Sequence, residues 1–124
     1  MIQKFHNMGI NIVILKGLHL GDDLFLYVLA SNKEKVYKMS FKKIEGYFSG
    51  TGILSIKKGD LIAALILATT TMYPNDFKTA IEKAFSVLQA VIKNTPINQE
   101  LHLIQSRDII RKMEITFTAE EIKI

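Results

Sequence analysis

The stretch GYFSGTGILSIKKGDLIAALILA, residues 46–68, decides how the fold of this chain is interpreted. It begins with a glycine-rich turn, residues 50–52, of the kind whose consecutive backbone amides can converge on a phosphate. It ends with Asp60 opening a strongly apolar helix, which we expect over residues 61–73. Seven residues, 53–59, separate the turn from the acid. The stretch is therefore either one interrupted anion site or two unrelated pieces of loop.

Length and composition indicate one folded domain. The chain has 124 residues, of which 48% are apolar and 23% charged, so disorder is not expected. It has no cysteine, which excludes disulfides, thiolate metal sites and thiol nucleophiles. The N-terminus lacks the apolar core of a signal peptide, and the longest apolar run, residues 61–68, is too short to span a bilayer. We expect a cytoplasmic protein with no membrane partner.

The net charge of +4 raises the question of nucleic-acid binding. The lysines are scattered along the chain, and no arginine-rich helix, RNA-binding aromatic motif or zinc-finger spacing accompanies them. A solvated basic surface is the favoured interpretation, and a nucleic-acid binder is the least favoured alternative.

The first half of the chain has the pattern of strands. Residues 10–15 are continuously apolar, which is typical of a strand buried on both faces in a parallel sheet. Residues 24–29 form a second apolar run, and residues 31–34 form a turn. In residues 36–42 apolar and polar side chains alternate, which predicts a strand with one wet face. A buried strand followed by an edge hairpin is expected.

The second half changes to helical spacing. The helix over residues 61–73 is apolar nearly all round, which predicts that it is sandwiched between layers. Asn75 or Asp76 is the expected N-cap of the next helix, which ends at residues 94–96. Lys78 and Glu82, four residues apart, are expected on its outer face. A short run at 101–104 and a final strand within 114–124 complete an α/β order.

Most catalytic patterns are missing from the sequence. His6, His19 and His102 share no ligand spacing, so no metal site is predicted. Neither a nucleophile elbow nor a Walker A loop occurs. What remains is Gly-Thr-Gly together with an acid at a helix start. Amides held by glycines can bind a phosphoryl group while a nearby carboxylate takes the proton of the attacking hydroxyl.

These residues resemble the C-terminal part of pyridoxal kinases, in the ribokinase-like superfamily. The family signature Phe-x-Gly-Thr-Gly-Asp, followed by a Leu-Phe/Ile-Ala-Ala-type helix, is matched here in two parts, residues 48–52 and 59–65. The likeness continues through YPNDFKTAIEKAFSVLQAVIKNT (73–95) and LHLIQSRDI (101–109). It implies an α/β fold, specifically a partial ribokinase-like three-layer fold: a parallel strand, an edge hairpin, two long C-terminal helices and a final strand. Residues 1–124 would be a single incomplete domain.

The resemblance implies a role for each matching residue. Asp60 would be the base that activates the hydroxymethyl group of the substrate, pyridoxal. The anion hole for the transferred phosphoryl would consist of Gly50, Thr51, Gly52 and Gly59. Phe48 and Ile92 would line the adenine pocket, although Ile92 is also a regular core position of its helix.

The reaction implied by the resemblance is transfer of the γ-phosphate of ATP to the 5′-hydroxyl of pyridoxal, pyridoxine or pyridoxamine. Mg²⁺ and a monovalent cation, K⁺ or Na⁺, would take part, and the full-length family is expected to form homodimers. Two alternatives stay open: a hydroxymethylpyrimidine kinase, and a non-catalytic remnant or interaction module. Lys16, at the end of the first strand, is similar to the lysine of a Lys-Gly-Gly-His motif in hydroxymethylpyrimidine kinases and is a candidate phosphate contact.

The chain departs from the family pattern at residues 53–59, which separate Gly-Thr-Gly from Asp60. Seven residues reach about 23 Å if extended, or bulge out and return. Only a bulge would keep Gly52 and Gly59 together. We hypothesise that the segment is a retained intron or a lineage-specific insertion.

The N-terminal part of the family's domain has no counterpart in the sequence. A sheet with exposed edges and an incompletely covered helix are therefore expected, with poor solubility or oligomerisation of the chain alone.

Overall fold

A computed structural model describes residues 1–18, 25–42, 53–96 and 100–123, and for residues 53–58 it describes the backbone alone. The elements in chain order are α1 (Ile2–Asn7), β1 (Val13–Leu18), β2 (Phe25–Ser31), β3 (Val36–Lys42), α2 (Ile53–Met72), α3 (Phe77–Lys93), α4 (Arg107–Lys112) and β4 (Glu120–Ile122). They fall into two compact units. Unit 1 comprises Met1–Lys42 with Thr118–Ile124, and unit 2 comprises Lys43–Phe117. The single incomplete domain stays a prediction.

Unit 1 contains an open sheet in the order β1-β2-β3-β4, with every pairing antiparallel. The alternation predicted for β3 is confirmed: Tyr37, Met39 and Phe41 are buried, whereas Ser40 and Lys42 are exposed. The hairpin turn is also where the sequence places it. The side-chain oxygen of Asn32 accepts hydrogen bonds from the backbone N–H groups of Glu34 and Lys35, which closes the turn between β2 and β3.

The first strand is shorter on its N-terminal side than the apolar run predicts. β1 begins at Val13, and Ile10 and Ile12 before it are exposed. Short helix α1, which the sequence analysis did not predict, precedes it. Among the described residues β1 pairs only with β2, and that pairing is antiparallel, so the parallel pairing expected from its apolar run is not observed there.

Unit 2 is built around α3. Eight apolar residues of α3 recur at helical spacing, and the sequence predicts that they share one face. The first of them, Phe77, is half-buried. The other seven are buried: Ala80, Ile81, Ala84, Phe85, Leu88, Val91 and Ile92. α3 packs against both α2 and α4. The buried hydroxyl of Ser86 accepts hydrogen bonds from the backbone N–H groups of Thr116 and Phe117, and so ties the segment after α4 to the helix.

Three predictions for unit 2 and the C-terminus need correction. Lys78 and Glu82 form the expected ion pair, at 2.9 Å, but Glu82 is buried because α3 is covered on most of its circumference. The short run at residues 101–104 is not an element of its own: residues 103–106 form a turn, in which the N–H of Ser106 bonds to the carbonyl of Leu103. The final strand is confined to Glu120–Ile122, because residues 116 and 117 bond to Ser86 instead of to a strand.

Within the described ranges, every helix is too short or too polar to span a bilayer.

Asp76 is the N-cap of α3, as predicted. One carboxylate oxygen accepts the backbone N–H of Thr79 at 3.2 Å, and the other accepts the Thr79 hydroxyl at 2.7 Å. The Thr79 hydroxyl, its N–H and the nearby Lys78 lower the pKa of Asp76, with the hydroxyl as the largest cause. The cap therefore favours the ionised carboxylate.

A depressed folded-state pKa predicts how the cap responds to acid. The stabilisation is fully present above the unfolded-state pKa of about 3.9 and is lost as the pH falls through the lower folded-state value. Asparagine caps a helix about as well as aspartate and does not titrate. The urea midpoint of the wild type should therefore exceed that of Asp76→Asn at pH 6, and the difference should shrink below about pH 4. A difference that stays constant down to pH 2 would contradict this account of the cap.

Candidate functional site

Asp60 does not open α2. The helix begins at Ile53, so Asp60 is its eighth residue, and its side chain is exposed. The prediction that Gly59 and Asp60 start the helix is therefore wrong. So is the expectation that residues 53–59 are extended or bulged, because their backbone forms the first two turns of α2.

The local sequence explains why the helix starts early. Residues 53–58, Ile-Leu-Ser-Ile-Lys-Lys, contain no proline and include three good helix formers. Gly59 is the only helix-disfavouring residue, at about 1 kcal/mol relative to alanine. The strongly helical Leu-Ile-Ala-Ala-Leu that follows can offset a cost of this size. The sequence analysis placed the start of the helix after this glycine, although its cost is small.

The helical path fixes the position of Asp60 relative to the start of α2. Seven residues at about 100° each turn the chain through about 700°, which is about 20° short of two full turns. Position 60 therefore lies on the same face of the helix as position 53. Along the helix axis it lies about 10 Å further on.

This offset matters chemically. The free backbone N–H groups of a helix are those of its first four residues, here at positions 53–56. A general base must come within about 3 Å of the hydroxyl it deprotonates. A phosphoryl group held at the start of α2 would be too far from the Asp60 carboxylate for that contact. Gly59 is the seventh residue of the helix, so its N–H faces the carbonyl four residues earlier rather than an anion.

The other predicted site residues are distributed over both units. Ile92 is 5% exposed and belongs to the buried face of α3 in unit 2. Lys16 is exposed on β1 in unit 1, next to Gly17 with φ +70°. Phe48, Gly50, Thr51 and Gly52 lie outside the described residues. The structure therefore does not bring the predicted set together within the part that it describes.

His6 belongs to a buried polar cluster in unit 1. His6 is 7% exposed, and its Nδ1 lies 2.7 Å from the carbonyl oxygen of Ile10, while Nε2 lies 2.8 Å from the hydroxyl of Ser31. A carbonyl can only accept, so Nδ1 donates to Ile10, and Nε2 forms a second hydrogen bond with the Ser31 hydroxyl. The hydrogen bond to Ser31 ties α1 to β2.

A cleft of about 870 Å³ in unit 1 lies beside α1 and the hairpin turn and contacts His6, Leu15 and Glu121. None of the predicted site residues lines it. Within the described ranges, no three His, Cys, Asp or Glu side chains are grouped so that they could hold a metal ion.

The fold of the chain is that of solved pyridoxal kinases. The structure of Plasmodium falciparum PdxK with the ligands AMP-PNP and PL matches 98% of this chain with a TM-score of 0.78 and 26% sequence identity. The match covers 41% of that chain. The mixed α/β class with an open sheet, expected from the sequence, is confirmed.

Curated relatives with similar sequences are also pyridoxal kinases. The pyridoxal kinase of Dictyostelium discoideum is 30% identical over 143 aligned positions, which cover 98% of this chain and 45% of the relative. The pyridoxal kinase of Arabidopsis thaliana is 32% identical over 132 positions, which cover 93% of this chain and 40% of the relative. The chain thus spans less than half the length of the curated relatives it matches. No protein-family model matches it.

A substitution at Gly59 tests the helical start of α2. Within a helix, Gly59→Ala should stabilise the protein by about 0.5–1 kcal/mol, because alanine loses less backbone entropy on folding. Gly17→Ala is the matched control: at φ +70° it should destabilise by about 1 kcal/mol, although nothing lies within 4 Å of the added Cβ. Urea unfolding measures both. Destabilisation by Gly59→Ala would contradict a helix that runs through this position.

Proposed function

We propose that this chain is the C-terminal, nucleotide-binding part of a ribokinase-like pyridoxal kinase. The observation that carries the proposal is the similarity to curated pyridoxal kinases along almost the whole chain, at 30% and 32% identity. The reaction would transfer the γ-phosphate of ATP to the 5′-hydroxyl of pyridoxal, pyridoxine or pyridoxamine. A cytoplasmic, homodimeric full-length enzyme is part of the proposal.

The proposed roles follow the family signature. Gly50, Thr51 and Gly52 would hold the migrating phosphoryl group with their backbone amides. Asp60 would accept the proton of the vitamin hydroxyl, with Gly59 beside it. Phe48 and Ile92 would contact adenine, and Lys16 would offer a point charge to the nucleotide phosphates.

The nucleotide support for the proposal comes from the solved Plasmodium kinase, since AMP-PNP is an analogue of ATP. We propose that Mg²⁺ enters with the nucleotide, since this ion is commonly held by substrate phosphates with only one or two carboxylates. When bound, it would neutralise charge on the phosphates. A K⁺ or Na⁺ ion is proposed on the resemblance alone.

The position of Asp60 adds a condition to this function. With residues 53–59 in helical form, its carboxylate lies about 10 Å along α2 from the first free amides. A misplacement of even about 1 Å can cost about 100-fold in rate. Removing seven residues would return position 60 to the helix start while rotating it by only about 20°. We therefore propose that the present chain is a poor catalyst and that the version without residues 53–59 is competent.

The displaced acid also supports a second candidate function, a non-catalytic interaction module. Such a protein would keep the α2–α3 packing and the fold but would phosphorylate nothing. The two proposals differ in whether activity returns when residues 53–59 are removed.

A chimeric enzyme tests this directly. The segment of the Arabidopsis kinase that aligns with this chain is replaced by this chain, with and without residues 53–59. Deletion should raise kcat/KM for pyridoxal at least about 100-fold. In the deleted chimera, Asp60→Asn should then lower kcat at least about 100-fold, because the general base is lost. Asp108→Asn, at an exposed acid on α4, is the matched control and should leave kcat unchanged.

Each other outcome has a defined meaning. Equal activity with and without residues 53–59 would refute the displacement of the base. Unchanged activity of the Asp60→Asn deletion variant would refute its role. Inactivity of every chimera that still binds AMP-PNP would favour the non-catalytic module. Phosphorylation of hydroxymethylpyrimidine in preference to pyridoxal would move the proposal to that related kinase.

A further inference from the structure

α2 has two apolar faces, and only one of them is covered. On the covered face, Ile62, Leu65 and Thr69 are between 0% and 5% exposed. On the opposite face the side chains of Ala63, Ala64, Leu67 and Ala68 are exposed, with Leu67 at 70%. These four residues are called the bare face of α2. The expectation that this helix is sandwiched is therefore correct for one side alone among the described residues.

The bare face has the composition of a buried surface. A surface helix normally places charged and polar residues opposite its apolar stripe. Here no charged residue occurs between Asp60 and the end of α2 at Met72. Three of the four residues are alanines, which allow close approach of another backbone, and Leu67 projects between them. Such a patch is typical of a contact surface.

Unit 1 has an independent unpartnered feature. β1 is the edge of its sheet, and among the described residues its second side pairs with nothing. Val13, Ile14 and Leu15 carry neither charge nor proline, which are the usual protections of an edge strand. Lys16, further along β1, is its only charge.

The size of the match to known kinases points to the occupant. This chain accounts for 40–45% of the curated relatives and 41% of the Plasmodium structure. More than half of each such fold is therefore made by sequence that does not align with this chain.

We propose that the bare face of α2 binds the complementary part of a pyridoxal kinase fold, meaning the part of the relatives that does not align with this chain. The free edge of β1 would be covered by the same partner. The binding does not require catalysis, so it can hold even if the phosphoryl transfer proposed above does not occur.

Co-expression tests the proposal. This chain is produced together with a tagged polypeptide that comprises the non-aligning part of the Arabidopsis kinase. Tag purification followed by light scattering should give a 1:1 complex. Leu67→Asp should lower the recovered complex at least tenfold, because a charge would be buried on the bare face.

Leu103→Asp is the matched control. It makes the same substitution at an exposed leucine outside α2, and it should leave the complex unchanged. Far-UV circular dichroism of both variants checks that the helices are retained.

The opposite results would overturn the proposal. These are failure to recover any complex from co-expression, or equal recovery with wild-type and Leu67→Asp chains. A homodimer that Leu67→Asp dissolves would assign the bare face to a second copy instead. A 1:1 complex without kinase activity would support the docking proposal and count against the proposed function, so the two failures are distinguishable.

Discussion

The continuous helical backbone of α2, from Ile53 to Met72, is the constraint on which the functional interpretation depends. Each helical residue advances the chain by about 1.5 Å and turns it by about 100°, so the number of residues before Asp60 fixes both its height and its face. The seven residues from position 53 to position 60 leave the face nearly unchanged and separate the two positions by about 10 Å. In the function proposed above, Asp60 would therefore face the correct side of the helix but lie about 10 Å from its start.

The side-chain packing of α2 is described for residues 59–72. Within that range Ile62, Leu65 and Thr69 are buried, and α2 packs against α3. The contact of Lys83 with the hydroxyl of Tyr73, at 2.7 Å, lies beyond the C-terminal end of the helix. Residues 53–59, the hypothesised insertion, lie at the opposite end of α2 from this contact. Stability and catalytic geometry are thus separable in this helix.

The sequence predicted best the elements whose signals are local and strong. The period-2 pattern around Tyr37, Met39 and Phe41 and the Asp76 cap are examples, since each depends on neighbours within a few residues. Short elements such as α1 and α4 were missed because six residues carry little periodicity and depend on tertiary contacts such as His6 with Ser31. The start of α2 was missed because a single glycine was given the weight of a break, although its cost is only about 1 kcal/mol. The roles assigned to the candidate site stay predictions.

Amide hydrogen exchange at residues 60–63 tests the helical extension most directly. In a helix that begins at Ile53, these amides bond to carbonyls four residues earlier, and they should exchange about as slowly as that of Leu65. In a helix that begins at Asp60, they would be the four amides without an intrahelical acceptor. Fast exchange at residues 60–63, with slow exchange starting at Ala64, would contradict the displacement of Asp60 from the start of α2.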